Sequence, residues 1–161
     1  MKNNFMIREG RIKDAESTLP VWDQLMEYHR KISAFDFEMV DDARDMWVQY
    51  FKRSVRSRIR KAIVAERDGE IVGFLLGEIQ KRPPVFVTTR QAYVNSISVL
   101  DRYRRQGVGT MMLNSFAEWA KERAMPYIML SVAVENIDAR HLYEKHGFYP
   151  MMVSQRKLLE S

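Results

Sequence analysis

The sequence predicts an α/β fold: a central mixed, mostly antiparallel sheet of about six to seven strands with helices on both faces. Three observations predict it. Short runs rich in β-branched residues alternate with amphipathic stretches in the order β, two helices, β-hairpin, β, α, β, α, β. The early strands are joined at Asp68-Gly69, a dipeptide that between apolar runs signals a tight antiparallel hairpin. The later strands are separated by helical patterns, as in β–α–β units. At 161 residues the chain is expected to form one domain, 1–161, with a sizeable core.

Residues 5–11 read as a first short strand. A helical pattern opens at Asp14, a suitable cap, with Ala15, Leu19, Trp22, Leu25, Met26 and His29 on one face. Pro20 is expected to kink or restart that helix. Residues 33–42 form a loop with two aromatics and four acids. A second helix is expected over 43–60, its apolar stripe marked by Trp47, Phe51, Val55 and Ile59. Strands follow at 62–67 and 70–80. Residues 81–91 contain Pro83-Pro84 and read as a loop, with a short extended piece at 85–88. The strand at 93–99 alternates, with Val94, Ser96 and Ser98 on one side and Tyr93, Asn95, Ile97 and Val99 on the other. A helix runs from Thr110 to about Arg123, with Met112, Leu113, Phe116, Trp119 and Ala120 as its apolar face, and Pro126 ends it. Residues 127–134 read as a buried strand, 138–146 as a short helix capped by Gly147, and 148–149 and 153–159 as two last strands.

Composition narrows the chemistry. There are no cysteines, so no disulfide, thiolate metal site or cysteinyl intermediate is available. The three histidines, His29, His141 and His146, lack metal-ligand spacing, and no metal site is expected. No apolar run is long enough to span a bilayer, and the opening residues MKNNFMIREGR lack a signal-peptide core, so a cytoplasmic protein is expected. The net charge of +5 favours anionic ligands. The basic run Lys52, Arg53, Arg56, Arg58, Arg60 and Lys61 is interleaved with Phe51, Val55 and Ile59. It reads as the solvated face of an amphipathic helix, and no nucleic-acid partner is expected.

The chemistry concentrates at residues 93–110, YVNSISVLDRYRRQGVGT. A strand, a basic glycine turn and a helix are the parts of an anion site. Glycines let backbone N–H groups approach a phosphate, and the helix start adds partial positive charge. Arg104 and Arg105 supply full charges and directed donors. The spacing Arg104-x-x-Gly107-x-Gly109 is neither the dinucleotide pattern nor the P-loop. It resembles the Gln/Arg-x-x-Gly-x-Gly/Ala motif of the GCN5-related N-acetyltransferases. Residues 136–148, NIDARHLYEKHGF, resemble the same family's C-terminal motif through Asn136, Ala139, Leu142, Tyr143, Gly147 and Phe148. Element order matches the family across nearly the whole chain. The family often carries proline where Asp101 stands.

The resemblance implies an acetyltransferase fold and acetyl-CoA as the donor. It places the cofactor on Ile97, Ser98, Val99, Arg104, Arg105, Gln106, Gly107, Val108, Gly109, Thr110, Asn136 and Tyr143. It implies that the strand at 97–99 splays from the strand at 128–134 to admit the pantetheine arm as an added strand, with a bulge aiming backbone donors at the thioester carbonyl. The acceptor is then a primary amine of a small molecule or peptide. Attack is direct, in a ternary complex, with Tyr143 as general acid. For the base, Glu78 and a water held near Asn95 and Ser96 both stand open. The acceptor pocket falls on Tyr28, His29, Phe35 and Glu38, with Phe37 beside them and Tyr149 opposite. A homodimer through the C-terminal segment is compatible with the family. The alternative is an acyl-CoA-binding module that keeps the fold without catalysis.

Overall fold

A computed structural model describes residues 4–159. The chain divides into two compact units, Met1–Ser131 and Val132–Ser161. The first unit holds one five-stranded sheet in the order β1-β2-β3-β4-β5. Its strands are β1 (Met6–Glu9), β2 (Arg60–Arg67), β3 (Glu70–Lys81), β4 (Arg90–Val99) and β5 (Ile128–Leu130). All neighbours are antiparallel except β4 and β5, which run parallel. The helices of this unit are α1 (Leu19–Ile32), α2 (Ala43–Arg56) and α3 (Val108–Glu122). The second unit carries α4 (Ile137–Lys145).

The hairpin forms at Asp68-Gly69, both residues having positive φ (51° and 82°), as a tight primed turn needs. β3 is the middle strand and is buried along most of its length. Phe74 and Leu76 face α1 and α2, where Trp22, Leu25, Trp47 and Phe51 complete one core. Trp22 and Trp47 stack with centroids 5.6 Å apart. Trp47 Nε1 donates to the buried Thr18 Oγ1 at 2.9 Å, which satisfies an indole that has no water to turn to. The opposite face of the sheet receives Met112 and Phe116 of α3, which close on Gly73 and Gly77.

Several elements differ from expectation for local reasons. The first helical pattern is split into two 3-10 turns, Ile12–Asp14 and Glu16–Thr18, before α1. Pro20 lies in the first turn of α1, where its missing N–H costs nothing, so it opens the helix instead of kinking it. Asp14 accepts the N–H of Arg11 at 2.7 Å but closes the first 3-10 turn. Its carboxylate also takes Arg8 at 2.7 Å, and Arg8 reaches Glu66 at 2.8 Å. α2 stops at Arg56, and Ile59 is exposed. The basic run is thereby broken, because Arg60 and Lys61 belong to β2. Residues 83–86 form a turn closed by Phe86 N–H on Pro83 O, and no strand covers 85–88. β5 covers three residues of the expected eight. Neither expected C-terminal strand is present among the described residues. Pro150 removes a donor there, and Tyr149, Met151, Met152, Val153, Leu158 and Leu159 are all exposed.

A Cβ on Gly77 would lie 2.3 Å from the Phe116 ring and 2.8 Å from Tyr93 O. Gly77→Ala will therefore destabilise the protein by about 1–3 kcal/mol in urea unfolding. Adding Phe116→Leu will recover part of the loss; equal or greater loss in the double variant would show that the ring is not the obstacle. Burial pushes the Asp14 carboxyl up, but the bonds from Arg8 and Arg11 outweigh it and hold it below the usual carboxylate range. A carboxyl depressed on folding stabilises the native state above its unfolded pKa, about 3.9, and loses that contribution as pH falls below it. Asp14→Asn will cost about 1–3 kcal/mol at neutral pH and will flatten the acid limb of the stability curve. An unchanged acid limb would remove Asp14 from the acid response.

Candidate functional site

The turn between β4 and α3 is built from backbone conformations that few residues adopt. After Val99 the chain passes a buried Leu100, a 3-10 turn at Asp101–Tyr103, and an extended Arg104. Arg105 then takes φ 59° and Gly107 φ 83°. Gly107 caps α3, whose internal bonding begins with Met111 N–H on Gly107 O at 3.0 Å. The N–H groups of Val108, Gly109 and Thr110 precede that bonding and have no helical acceptor. No acidic residue occupies the first turn of α3. The helix start is thus an anion-ready surface with the basic turn directly before it.

The turn's side chains are partly committed. Arg104 Nε donates to Val99 O at 3.1 Å, and its guanidinium meets Asp101 at 2.8 Å. Gln106 Nε2 donates to Arg102 O at 3.1 Å. Arg102 and Tyr103 both bind Glu70 at the start of β3. These contacts anchor the turn to the hairpin.

β4 carries the second feature. Its register against β3 shifts between Leu76 and Gly77: Leu76 pairs with Ser96 and Gly77 with Val94, so Asn95 is the extra residue of a bulge. The bulge changes the alternation. Val94 joins Ile97 and Val99 on the α3 face, which corrects its expected grouping with Ser96 and Ser98. Pairing with β5 ends at Val94 opposite Leu130. Leu100 N–H donates to Val72 O, so in an antiparallel ladder Ser98 and Ser96 turn their backbone groups to β3. Ile97 and Val99 then turn theirs to the outer edge, which no strand covers among the described residues. Ser98 is thus placed away from that edge, its buried Oγ without a partner.

Glu78 of β3 sits opposite Tyr93, beside the bulge. It accepts from Arg60 Nε at 3.2 Å, Gln80 Nε2 at 3.1 Å and Asn95 Nδ2 at 3.3 Å. Burial pushes its carboxyl up, but the bonds from Gln80 and Asn95 and the charge of Arg60 prevail, and it lies below the usual range. Arg60 in turn lies over the Tyr50 ring at 5.2 Å. Neither Arg60 nor Tyr50 carries a spacing signal, because α2 and β2 meet only in the fold.

Of the acceptor candidates, Phe35 and Glu38 line an open groove of about 740 Å³ with Arg30, Ala34, Met39 and Val40. Tyr28 and His29 lie on the last turns of α1. His29 stacks on Phe37 at 4.6 Å, its Nδ1 buried without a partner, and burial holds its imidazole below the usual value.

In the second unit, Asn136 caps α4: its Oδ1 accepts the N–H of Ala139 at 3.1 Å. Tyr143 is buried, and burial pushes its phenol up to about 12. Its ring packs on Phe148 at 5.7 Å. Gly147 has φ 80°, the conformation expected of a helix-ending glycine. Tyr149 is exposed. Among the described residues no group of three or more His, Asp or Glu is placed to hold a metal ion, and no helix is long and apolar enough to cross a membrane.

The model of the acetyltransferase (GNAT) family matches residues 22–148. An N-alpha-acetyltransferase of Sulfurisphaera tokodaii is 38% identical over 97 residues, 56% of this chain and 57% of that one. The uncharacterized N-acetyltransferase YhfO of Bacillus subtilis is 25% identical over 88% of both chains. A variant of the BH1408 protein from Bacillus halodurans superposes with TM-score 0.87 at 19% identity, over 96% of this chain and 99% of that one. The aminoglycoside acetyltransferase AAC(6')-Iy, solved with a bisubstrate CoA analog, superposes with TM-score 0.74 at 18% identity, over 96% and 99% of the two chains. At such identities the structural likeness speaks for the fold. The match to the Sulfurisphaera tokodaii protein spans just over half the length of that relative.

A Cβ on Gly107 meets nothing within 4 Å, so the constraint there is conformational. Gly107→Ala at φ 83° will cost about 1–2 kcal/mol. On the expectation that this turn cradles a CoA pyrophosphate, the same strain will tilt the first-turn amides and weaken CoA binding several-fold by calorimetry. Wild-type affinity in a folded Gly107→Ala variant would detach this turn from CoA.

Proposed function

The chain belongs to the acetyltransferase (GNAT) family, and from that premise we propose that it moves an acetyl group from acetyl-CoA to a primary amine by direct transfer in a ternary complex. The observation that carries this reading is the pairing of two features on one strand. β4 is followed by an anion-ready turn at Arg104–Thr110, and among the described residues no strand pairs with its outer edge from the bulge at Asn95 to Val99. A pyrophosphate suits the first feature, and an amide-bearing arm suits the second.

Acetyl-CoA supplies the activated acyl group as a thioester. The first-turn amides of α3, with Arg104 and Arg105, hold the pyrophosphate. Ile97 N–H and C=O and Val99 N–H pair with the arm; Val99 O is already used by Arg104. Backbone donors at the bulge face the carbonyl oxygen where negative charge grows during attack. Tyr143 donates the proton that the departing thiolate needs. Its raised pKa keeps the phenol protonated throughout the working range. Phe35 and Glu38 receive the acceptor, the carboxylate attracting the ammonium and the ring covering its apolar body.

The proton on the acceptor is the harder step. An alkylammonium has a pKa of about 10.4. Glu78 lies below the usual carboxylate range and the alkylammonium far above it, so taking that proton directly is steeply uphill. We therefore assign Glu78 to holding a water with Asn95, through which the proton leaves, and not to direct abstraction.

The test begins with thermal unfolding. Acetyl-CoA at about a hundred times its dissociation constant adds roughly 2.7 kcal/mol, which for this size raises the midpoint by about 5–11 °C. No rise at millimolar acetyl-CoA would remove the cofactor reading. A rise without thiol release on a broad amine panel would leave a binding module. With a turned-over amine, Tyr143→Phe will lower kcat about a hundredfold while CoA binding holds. The pH profile of kcat/KM will climb towards the pKa of the amine and will show no descending limb below about pH 11, because Tyr143 stays protonated. A bell-shaped profile falling near pH 9 would exclude Tyr143 as the acid.

A further inference from the structure

Resting on the reading of the β4–α3 turn as the pyrophosphate cradle, we propose that Gln24 of α1 is a positioning residue for CoA, clamping the point where β4 becomes that turn. Gln24 Nε2 donates to Val99 O at 3.1 Å, and Gln24 Oε1 accepts the N–H of Asp101 at 2.9 Å. One side-chain amide thus holds the two backbone groups that flank Leu100, from 75 and 77 positions away in the chain. Leu100 is buried between them, and its own N–H is fixed on Val72 O. The clamp therefore sets both the end of the β4 ladder and the start of the 3-10 turn at Asp101–Tyr103.

Two consequences follow for the ligand. Val99 O accepts from Gln24 and from Arg104 Nε, which uses both lone pairs of that carbonyl. An incoming arm is left Val99 N–H and the groups of Ile97, so its register on the edge is decided in advance. The turn also begins from a fixed Asp101, and Arg104 N–H closes on Asp101 O at 3.1 Å. The positions of Arg105 and Gly107 follow from that start. A turn held in its working conformation before binding loses less freedom when the pyrophosphate arrives. A proline at position 101 would have no N–H to offer Gln24. Asp101 and Gln24 thus form one device in this chain.

Calorimetry tests it with two probes, CoA and adenosine 3′-phosphate 5′-diphosphate, which keeps the pyrophosphate and lacks the pantetheine arm. Gln24→Leu removes both clamp bonds. Asp101→Pro removes the N–H from the other side, and it fits the backbone: Leu100 before it is extended (φ −53°, ψ 137°), and Asp101 opens the turn. Asp101→Asn, which drops the carboxylate but keeps the N–H, is its reference. The expected result for Gln24→Leu is a loss of about five- to tenfold in affinity for both probes, with the ligand-free midpoint lowered by no more than about 4 °C. Asp101→Pro will show a similar loss relative to Asp101→Asn, and combining it with Gln24→Leu will add little. Unchanged affinity in Gln24→Leu would overturn the proposal. So would additive losses in the double variant, or a loss confined to CoA with the diphosphate spared. Failure of the wild-type protein to bind either probe would instead remove the cofactor reading, and the clamp's role with it.

Discussion

The contact between Phe116 and Gly77 is the constraint on which the arrangement of the site depends. Phe116 is fully buried, and its ring occupies the volume that any Cβ at position 77 would fill. A helix approaches a sheet this closely only where the strand lacks a side chain. Met112 meets Gly73 on the same face of β3, so α3 is seated at two points. Gly77 is also the residue at which β4 slips register around Asn95. One glycine therefore admits the helix and lies at the bulge. Because α3 is fixed along its length, its first turn is fixed too, and Gly107 is presented beyond the end of β4 without any side-chain cap.

The parts of this arrangement that were legible in the sequence are those encoded by local conformation. Asp68-Gly69 requires positive φ at both positions and has it. Arg104-x-x-Gly107-x-Gly109 places a glycine in the turn before a helix, and that glycine, Gly107, has φ 83°. Gly147 ends α4 in the same way. The bulge was not legible as a position, because alternation presumes a regular strand. Val94 and Ser96 read as neighbours on one face until Asn95 is counted out of the ladder. The end of α2 was hidden for a related reason. Ile59 continues the helical stripe numerically, yet it lies outside α2 and its side chain is exposed. Gln24 was invisible to pattern reading: a polar residue on an amphipathic helix has no periodicity that distinguishes solvent from a partner 75 residues on.

The polar contacts around the turn differ in weight. Arg102–Glu70 and Arg104–Asp101 join exposed side chains, and pairs of that kind contribute little in water. The bonds on Val99 O and Asp101 N–H are of another sort. They satisfy backbone groups at the point where a strand's ladder has ended and a helix has not begun, where nothing else in the backbone supplies partners. The turn is held by bonds to its backbone, one of them from Arg104 Nε, whereas the Arg104–Asp101 ion pair at the surface is weak. An arginine in such a pair exchanges a weak surface partner for a phosphate at small cost, whereas a displaced backbone would have to be rebuilt at each binding event.

The acceptor side shows why substrate identity is the hardest property to read from a chain. Phe35 and Glu38 lie in a loop with no period of its own, so no spacing rule distinguishes a binding residue from a solvated one. What the fold adds is juxtaposition. One carboxylate stands among Ala34, Phe35, Met39 and Val40, with Arg30 at the margin already paired to Glu27. A monoamine with an apolar arm meets both halves of the groove. On the acceptor reading proposed above, an amine next to a hydrophobic group suits this groove.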